Sequence, residues 1–152
     1  MGLIDGLSGV IYSNLIRESR YTLFFDGLVT TLEITVFALL LGIVIGLIVA
    51  LVRVMHIKVL DKIAKAYVDI IRGTPAVVQL VIIYYAILGG VNLPKVLVAS
   101  VAFAINSGAY VSELIRGGIL AVDKGQMEAA RSLGMSWGQS MRHIIVPQAT
   151  KH

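Results

Sequence analysis

The 152-residue chain has no cysteine, three prolines, one tryptophan and charged residues at only 14% of positions. Without cysteine, disulfides are excluded and nothing more follows. The charge content falls well under the roughly 25% of soluble domains, while the hydrophobic share of 57% exceeds their usual 45–50%. So little polar surface cannot cover that much apolar surface in water, and the mean hydropathy of +0.87 points to lipid as the solvent. No cleaved signal is legible in the first 27 residues, because Asp5, Arg17, Glu18, Arg20 and Asp26 interrupt any apolar run. The net charge of +4 does not point to nucleic acid. The basic residues sit in the gaps between apolar runs, where an anionic membrane surface is the ordinary partner.

The clearest span is Leu28–Val52. From Ile34 to Val52 every residue except Thr35 is apolar or glycine, close to the length of about 20 residues that a bilayer core requires. Asp26 is the expected N-cap, and Arg53 closes the helix where a cation suits the dipole. Ala38, Gly42, Gly46 and Ala50 recur every four residues, a small-residue stripe that admits a neighbouring helix at close range. Ile57–Ile71 differs. Ile57, Leu60, Ala64, Tyr67, Val68 and Ile71 share one face, with Lys58, Asp61, Lys62, Lys65, Asp69 and Arg72 opposite. That pattern suits a helix at the membrane interface or entering it obliquely.

Gly73-Thr74-Pro75 breaks this helix. Ala76–Val91 is short for a span, so the pattern predicts a discontinuous helix whose halves cross together. Broken helices at membrane depth occur where they are buried in protein or line a cavity, which makes residues 72–75 either part of a solute path or a surface loop. Gly89–Pro94 forms a turn, with Asn92 as the expected N-cap of a third span over Val96–Ile115. Phe103, Asn106, Tyr110 and Glu113 share a face of that span. A charge at bilayer depth turns inward, so the face reads as path-lining at Asn106; Glu113 either joins it or pairs with Arg116 at the cytoplasmic boundary. Arg17 and Arg20 precede the first span. Arg53, Lys58, Lys62, Lys65 and Arg72 follow it, Lys95 follows the second, and Arg116, Lys124, Arg131, Arg142 and Lys151 follow the third. The positive-inside rule then places the amino terminus outside and the carboxyl-terminal segment in the cytoplasm.

That last segment is patterned as two short helices. Asp123 and Gln126 have capping-box spacing, Met127, Ala130 and Leu133 repeat at helical spacing, and Gly134 stands where a left-handed residue ends a helix. Ser136 and Gln139 repeat the box, and the second helix carries Met141, Ile144 and Ile145 before Pro147. Such a knob either lies on lipid or docks a protein.

The spacing of Glu128-Ala129-Ala130, Gly134, Ile144, Val146 and Pro147 resembles the coupling motif of ATP-binding-cassette importer permeases, with valine where leucine is usual. Asp26-Gly27-Leu28 with Thr30-Thr31-Leu32, Arg72-Gly73-Thr74-Pro75 with Val78-Gln79, Asn106-Ser107-Gly108-Ala109-Tyr110 with Glu113 and Arg116-Gly117-Gly118, and Pro147-Gln148-Ala149 are similar to the polar amino-acid uptake group of histidine, glutamine and arginine permeases.

The resemblance implies an all-α, polytopic membrane helical bundle. Residues 1–25 form an extracytoplasmic segment, and 26–152 an incomplete type 1 transmembrane domain with a coupling-helix segment at 123–148. It implies three spans here and two more beyond His152, as in a truncated chain. It also implies the bacterial cytoplasmic membrane, a second permease chain of the same or a related kind, an extracytoplasmic amino-acid-binding protein, and cytoplasmic ATPase subunits. Glu128, Ala129, Ala130, Gly134, Ile144 and Pro147 would dock the ATPase; Thr74, Gln79, Asn106, Tyr110 and Glu113 would serve the solute path. The chain has no Gly-x-x-x-x-Gly-Lys-Ser/Thr loop, so ATP would be used by the partner, with no cofactor bound here. An enzyme is disfavoured: His56, His143 and His152 are scattered, without partners at catalytic or ligand spacing. The alternatives are a passive channel or a membrane-surface structural protein, neither of which needs a shaped ATPase dock.

Overall fold

The computed structural model describes residues 6, 8–10, 12–16, 19–87 and 90–151. Asp5, Arg17, Glu18, Gly89 and His152, named above, lie outside them, as does part of the 1–25 segment. The described residues hold helices and no strand. After a short π-turn at Tyr12–Ile16, helix α1 spans Tyr21–Val54, α2 Lys58–Gly73 and α3 Ala76–Val81, which runs on as a π-turn over Ile82–Ile87. Helix α4 spans Lys95–Ala121 and α5 Lys124–Ser132. Helix α6 begins at Trp137–Ser140 and continues through a π-turn (Met141–Ile145) and a last turn (Val146–Ala149).

Helix α1 starts seven residues before Leu28, so Asp26 is not its cap. The apolar run Tyr21–Phe25 extends the helix backwards, and the Asp26 carbonyl accepts from Thr30 Oγ1 at 2.9 Å inside it. At 34 residues α1 is about 50 Å long, more than a bilayer core. Asn92 caps nothing: the N-cap of α4 is Pro94, whose carbonyl accepts from Val98 N. Helix α4 also runs six residues past Ile115, through Gly117 and Gly118, and ends where Val122 turns extended (φ −71°, ψ 134°).

The buried residues of α1 are Ala38, Gly42, Gly46 and Ala50, and the helix they face is α4. A Cβ placed on Gly42 would lie 2.9 Å from Ser107 Cβ, and one on Gly46 would lie 2.5 Å from Val111 Cγ1. Gly108 returns the fit, since a Cβ there would come within 2.7 Å of Ile45 Cγ2 and 3.1 Å of the Tyr67 hydroxyl. The two backbones therefore approach over glycine. Because Gly42 meets Ser107 and Gly46 meets Val111, the helices run parallel.

Parallel neighbours need a return path, and α2 with α3 supplies it. The pair is bent by 109° at residues 74–75, and together with α1 and α4 it makes up to three crossings. Helix α2 buries Ala64 and Val68 in the bundle, and the Tyr67 hydroxyl donates to the Ile105 carbonyl on α4 at 2.5 Å. His56, at φ +53°, turns the chain from α1 into α2.

A Gly46→Leu substitution is expected to destabilise the bundle by about 1–3 kcal/mol or more through overpacking against Val111. Gly27→Leu, where a side chain meets nothing within 4 Å, is expected to change little. Unfolding of each purified variant in detergent micelles checks this; equal stabilities would refute the close-approach account.

Candidate functional site

Two groups of polar residues and one surface knob are the functional features. The first group sits at the break between α2 and α3. Thr74 is forced into extended backbone (φ −122°, ψ 147°) before Pro75, which strands the last carbonyls of α2. Thr74 Oγ1 donates to Ile70 O at 2.8 Å. Gln79, in the first turns of α3, directs Nε2 at Ile71 O (2.7 Å), Thr74 O (3.1 Å) and Thr74 Oγ1 (2.7 Å). Its Oε1 accepts from Asn106 Nδ2 on α4 at 3.0 Å. Gln79 is only 8% exposed, and both ends of its carboxamide are engaged. The structure thus brings Thr74, Gln79 and Asn106 into one connected set, in which Gln79 staples the break to α4.

The second group is ionic. Glu113 receives a two-point contact from Arg116, Nε to Oε1 at 3.1 Å and an Nη to Oε2 at 3.0 Å, and it also bonds the guanidinium of Arg53 from the end of α1. Arg72, from the last turn of α2, lies 3.6 Å from Glu113 Oε2 with its guanidinium 5.5 Å from the Tyr110 ring centre. Asp61, on the first turn of α2, lies 3.8 Å from Arg53 Nε. Glu113 therefore does more than pair with Arg116: it joins α1, α2 and α4. Asn106, Tyr110 and Glu113 all face α2 and α3, whereas Phe103 lines a separate cavity of about 470 Å³ with Thr31, Ile34 and Ser107. The roles of Arg53, Asp61 and Arg72 were not legible in the sequence. Arg53 reads as a cation closing its helix, Asp61 as one of a polar stripe and Arg72 as the start of the 72–75 break, and nothing in local spacing pairs Arg53 with a residue 60 positions away.

The knob is built by caps. Asp123 is the N-cap of α5, but its side chain accepts from Gly125 N at 2.6 Å instead of from Gln126 N. The first capping box does not form, because Gln126 Oε1 instead accepts from Gln148 Nε2 at 3.1 Å, tying the two helices together. The second box, Ser136 with Gln139, is complete in both directions. Between them Gly134 takes φ +83°, with Gly134 N bonded to Arg131 O and Met135 N to Ala130 O. This doubly bonded glycine end satisfies the last carbonyls of α5.

Val122, Met141 and Ile145 form the core of the knob, packed with Val54, Ile119, Met127, Ile144 and Ala149. Gly118 lets the knob close on α4, since a Cβ there would sit 3.2 Å from Ala149 O. Of the residues expected to dock a partner, Glu128, Ala129, Gly134 and Pro147 are on the surface; Ala130 is buried and Ile144 half-buried. Those two shape the knob from inside. Leu133, which continues the helical spacing of Met127 and Ala130, is 84% exposed. It is the C-cap of α5, where the turn into Gly134 carries it off the Met127–Ala130 face.

These features define an integral membrane transport component, and comparison makes the class specific. Residues 42–152 match the family of binding-protein-dependent transport system inner membrane components. The chain is 43% identical over 145 residues to a Rickettsia bellii (strain RML369-C) protein named as a glutamine transport system permease protein, GlnP, covering 93% of this chain and 66% of that one. It is 41% identical over 129 residues to the arginine transport system permease protein ArtQ of Bacillus subtilis (strain 168), covering 84% and 59%. A solved structure described as the crystal structure of an amino acid ABC transporter with histidines superposes with a TM-score of 0.79 at 46% identity, over 95% of this chain and 64% of that one. The chain belongs to the binding-protein-dependent transport system inner membrane component family. It spans less than two thirds of the length of these relatives.

Replacing Glu113 with Gln would leave three guanidiniums facing the single carboxylate of Asp61. The expected loss is on the order of 3 kcal/mol, the usual effect of removing one partner from a largely buried ion pair. Denaturant unfolding of the purified protein in detergent measures it. A change within about 0.5 kcal/mol, as at an ordinary surface site, would rule out the three-helix junction.

Proposed function

We propose that this chain is the permease part of an ATP-driven importer of polar amino acids, and that it passes force from a separate cytoplasmic ATPase to its membrane helices through Glu128–Pro147. The observation that carries this reading is the knob itself. A coupling-motif sequence is folded as a rigid two-helix unit, seated on α1 and α4 by Val122, Met141 and Ile145, with Glu128, Ala129, Leu133 and Gly134 turned outward. A passive channel has no use for such a part. Small residues at Ala129 and Gly134 permit close contact, the exposed Leu133 offers an apolar anchor, and Glu128 a charge for a basic partner.

Seated this way, the knob cannot move without α4 and the end of α1, and α4 carries Asn106, Tyr110 and Glu113. Closure of the ATPases on ATP would move the knobs and re-pack the junctions around the break. The chain itself holds no ATP; hydrolysis resides in the partner subunits. The remaining parts of the proposal are a second permease chain, an extracytoplasmic binding protein that delivers the solute, and the bacterial cytoplasmic membrane with the amino terminus outside. Thr74, Gln79, Asn106 and Tyr110 lie along the proposed path, with Gln79 shaping it. The relatives are named for arginine and glutamine, whose side chains differ in charge while the α-carboxylate and α-ammonium are shared, so polar amino acids are the solute class.

Gly134→Asp, in a permease of the relatives' full length carrying this segment, is expected to abolish ATP-driven uptake and capture of the ATPase while membrane insertion stays intact. The substitution puts a carboxylate on the docking face and a side chain at φ +83°. Uptake at the unmodified level by that variant would refute the docking assignment.

A further inference from the structure

Arg72 stands apart from the other two arginines of the ionic group. Arg53 and Arg116 hydrogen-bond Glu113 and occupy both of its carboxylate oxygens. Arg72 approaches Oε2 only to 3.6 Å, beyond hydrogen-bond range, and its guanidinium makes no hydrogen bond to any described residue. Its side chain is 45% exposed, against 12% for Arg53 and 31% for Arg116. The charges do not balance: Arg53, Arg72 and Arg116 face only Asp61 and Glu113, and one positive charge is left over. A half-exposed guanidinium without a hydrogen-bonding partner is open to an anion. The Tyr110 ring, 5.5 Å from the guanidinium carbon, helps hold Arg72 in place. A guanidinium so held presents paired N–H donors that match a carboxylate at two points.

Two residues further along the chain lies Thr74, and one turn back along α4 lies Asn106, both in the polar set at the helix break. Arg72 therefore stands beside the one connected polar surface between α2, α3 and α4 among the described residues. The lysines at 58, 62 and 65 are exposed along the preceding turns of α2. We infer that Arg72 receives the carboxylate of the transported amino acid, held by Tyr110 and left free to do so because Arg53 and Arg116 saturate Glu113. This rests on the importer reading above. It assigns Arg72 a part in solute recognition that is independent of side-chain identity.

The test is equilibrium binding of radiolabelled arginine and glutamine, and of their α-amides, to the full-length permease–ATPase complex in phosphatidylcholine nanodiscs. The unmodified complex is expected to bind the acids roughly ten- to a hundredfold more tightly than the amides, the range for hydrogen bonds to a charged group. In Arg72→Gln the acids are expected to weaken to the level of the amides while the amides are unchanged. Arg72→Lys is expected to fall between, and capture of the ATPase reports that each variant is folded. If Arg72→Gln keeps the preference for the acid, or weakens acid and amide equally, the inference fails while the importer reading stands. Should the unmodified complex bind neither amino acid, the importer reading falls and the inference with it. Phosphatidylglycerol binding that depends on Arg72, with amino-acid binding that does not, would assign the guanidinium to a lipid phosphate and overturn the proposal.

Discussion

Everything else in this molecule depends on how closely α1 and α4 approach. In lipid there is no hydrophobic gain from pressing two apolar helices together, so association rests on packing between surfaces that fit. Gly42 and Gly46 on one side and Gly108 on the other remove the side chains that would hold the backbones apart, and Ser107, Val111 and Ile45 fill the space. Gly108 has a second duty, because the Tyr67 hydroxyl passes over it to reach the Ile105 carbonyl. One missing Cβ thus sets the distance between two helices and admits a third.

The parallel pair fixes what the rest of the chain must do. The segment between α1 and α4 has to return across the same thickness, and α2 is too polar on one face to do so as an ordinary lipid-facing helix. The break at Gly73–Pro75 answers this by bending the path. The bend leaves the last backbone carbonyls of α2 without intrahelical partners. Gln79 and Thr74 supply the missing donors from the chain itself. Next to the break, Glu113 gathers Arg53, Arg72 and Arg116, so that α1, α2 and α4 share one electrostatic joint. Displacing any one of these helices therefore disturbs the partners of the other two.

The knob shows a different economy. Its position depends on a small apolar core and on Gly118, while its shape depends on caps: Asp123, the left-handed Gly134 and the reciprocal pair Ser136–Gln139. The outward face is left with Glu128, Ala129 and Leu133. Local chemistry therefore builds the surface, and tertiary packing aims it.

Much of this was legible in the chain alone, and the division has a physical cause. The spans, the break at Thr74–Pro75, the small-residue stripe of α1, the Gly134 turn and the Ser136 box are governed by residues within four positions of one another, so periodicity and capping rules reach them. Such rules misplace the ends of α1 and α4 when the flanking residues tolerate helix, as Tyr21–Phe25 and Arg116–Ala121 do. They also misread Asp123, whose expected partner Gln126 is drawn away by Gln148 on another helix. What only the tertiary structure decided are the contacts between positions far apart in the chain: Arg53 and Glu113, Tyr67 and Ile105, Gln79 and Asn106, and the outward turn of Leu133. A charge or an amide at a helix boundary carries no local mark of its partner. The sequence by itself determined a bundle of membrane helices with a capped two-helix knob; which polar groups meet inside it was set by the crossing of α2 and α3 over the parallel pair, where packing selects the neighbours.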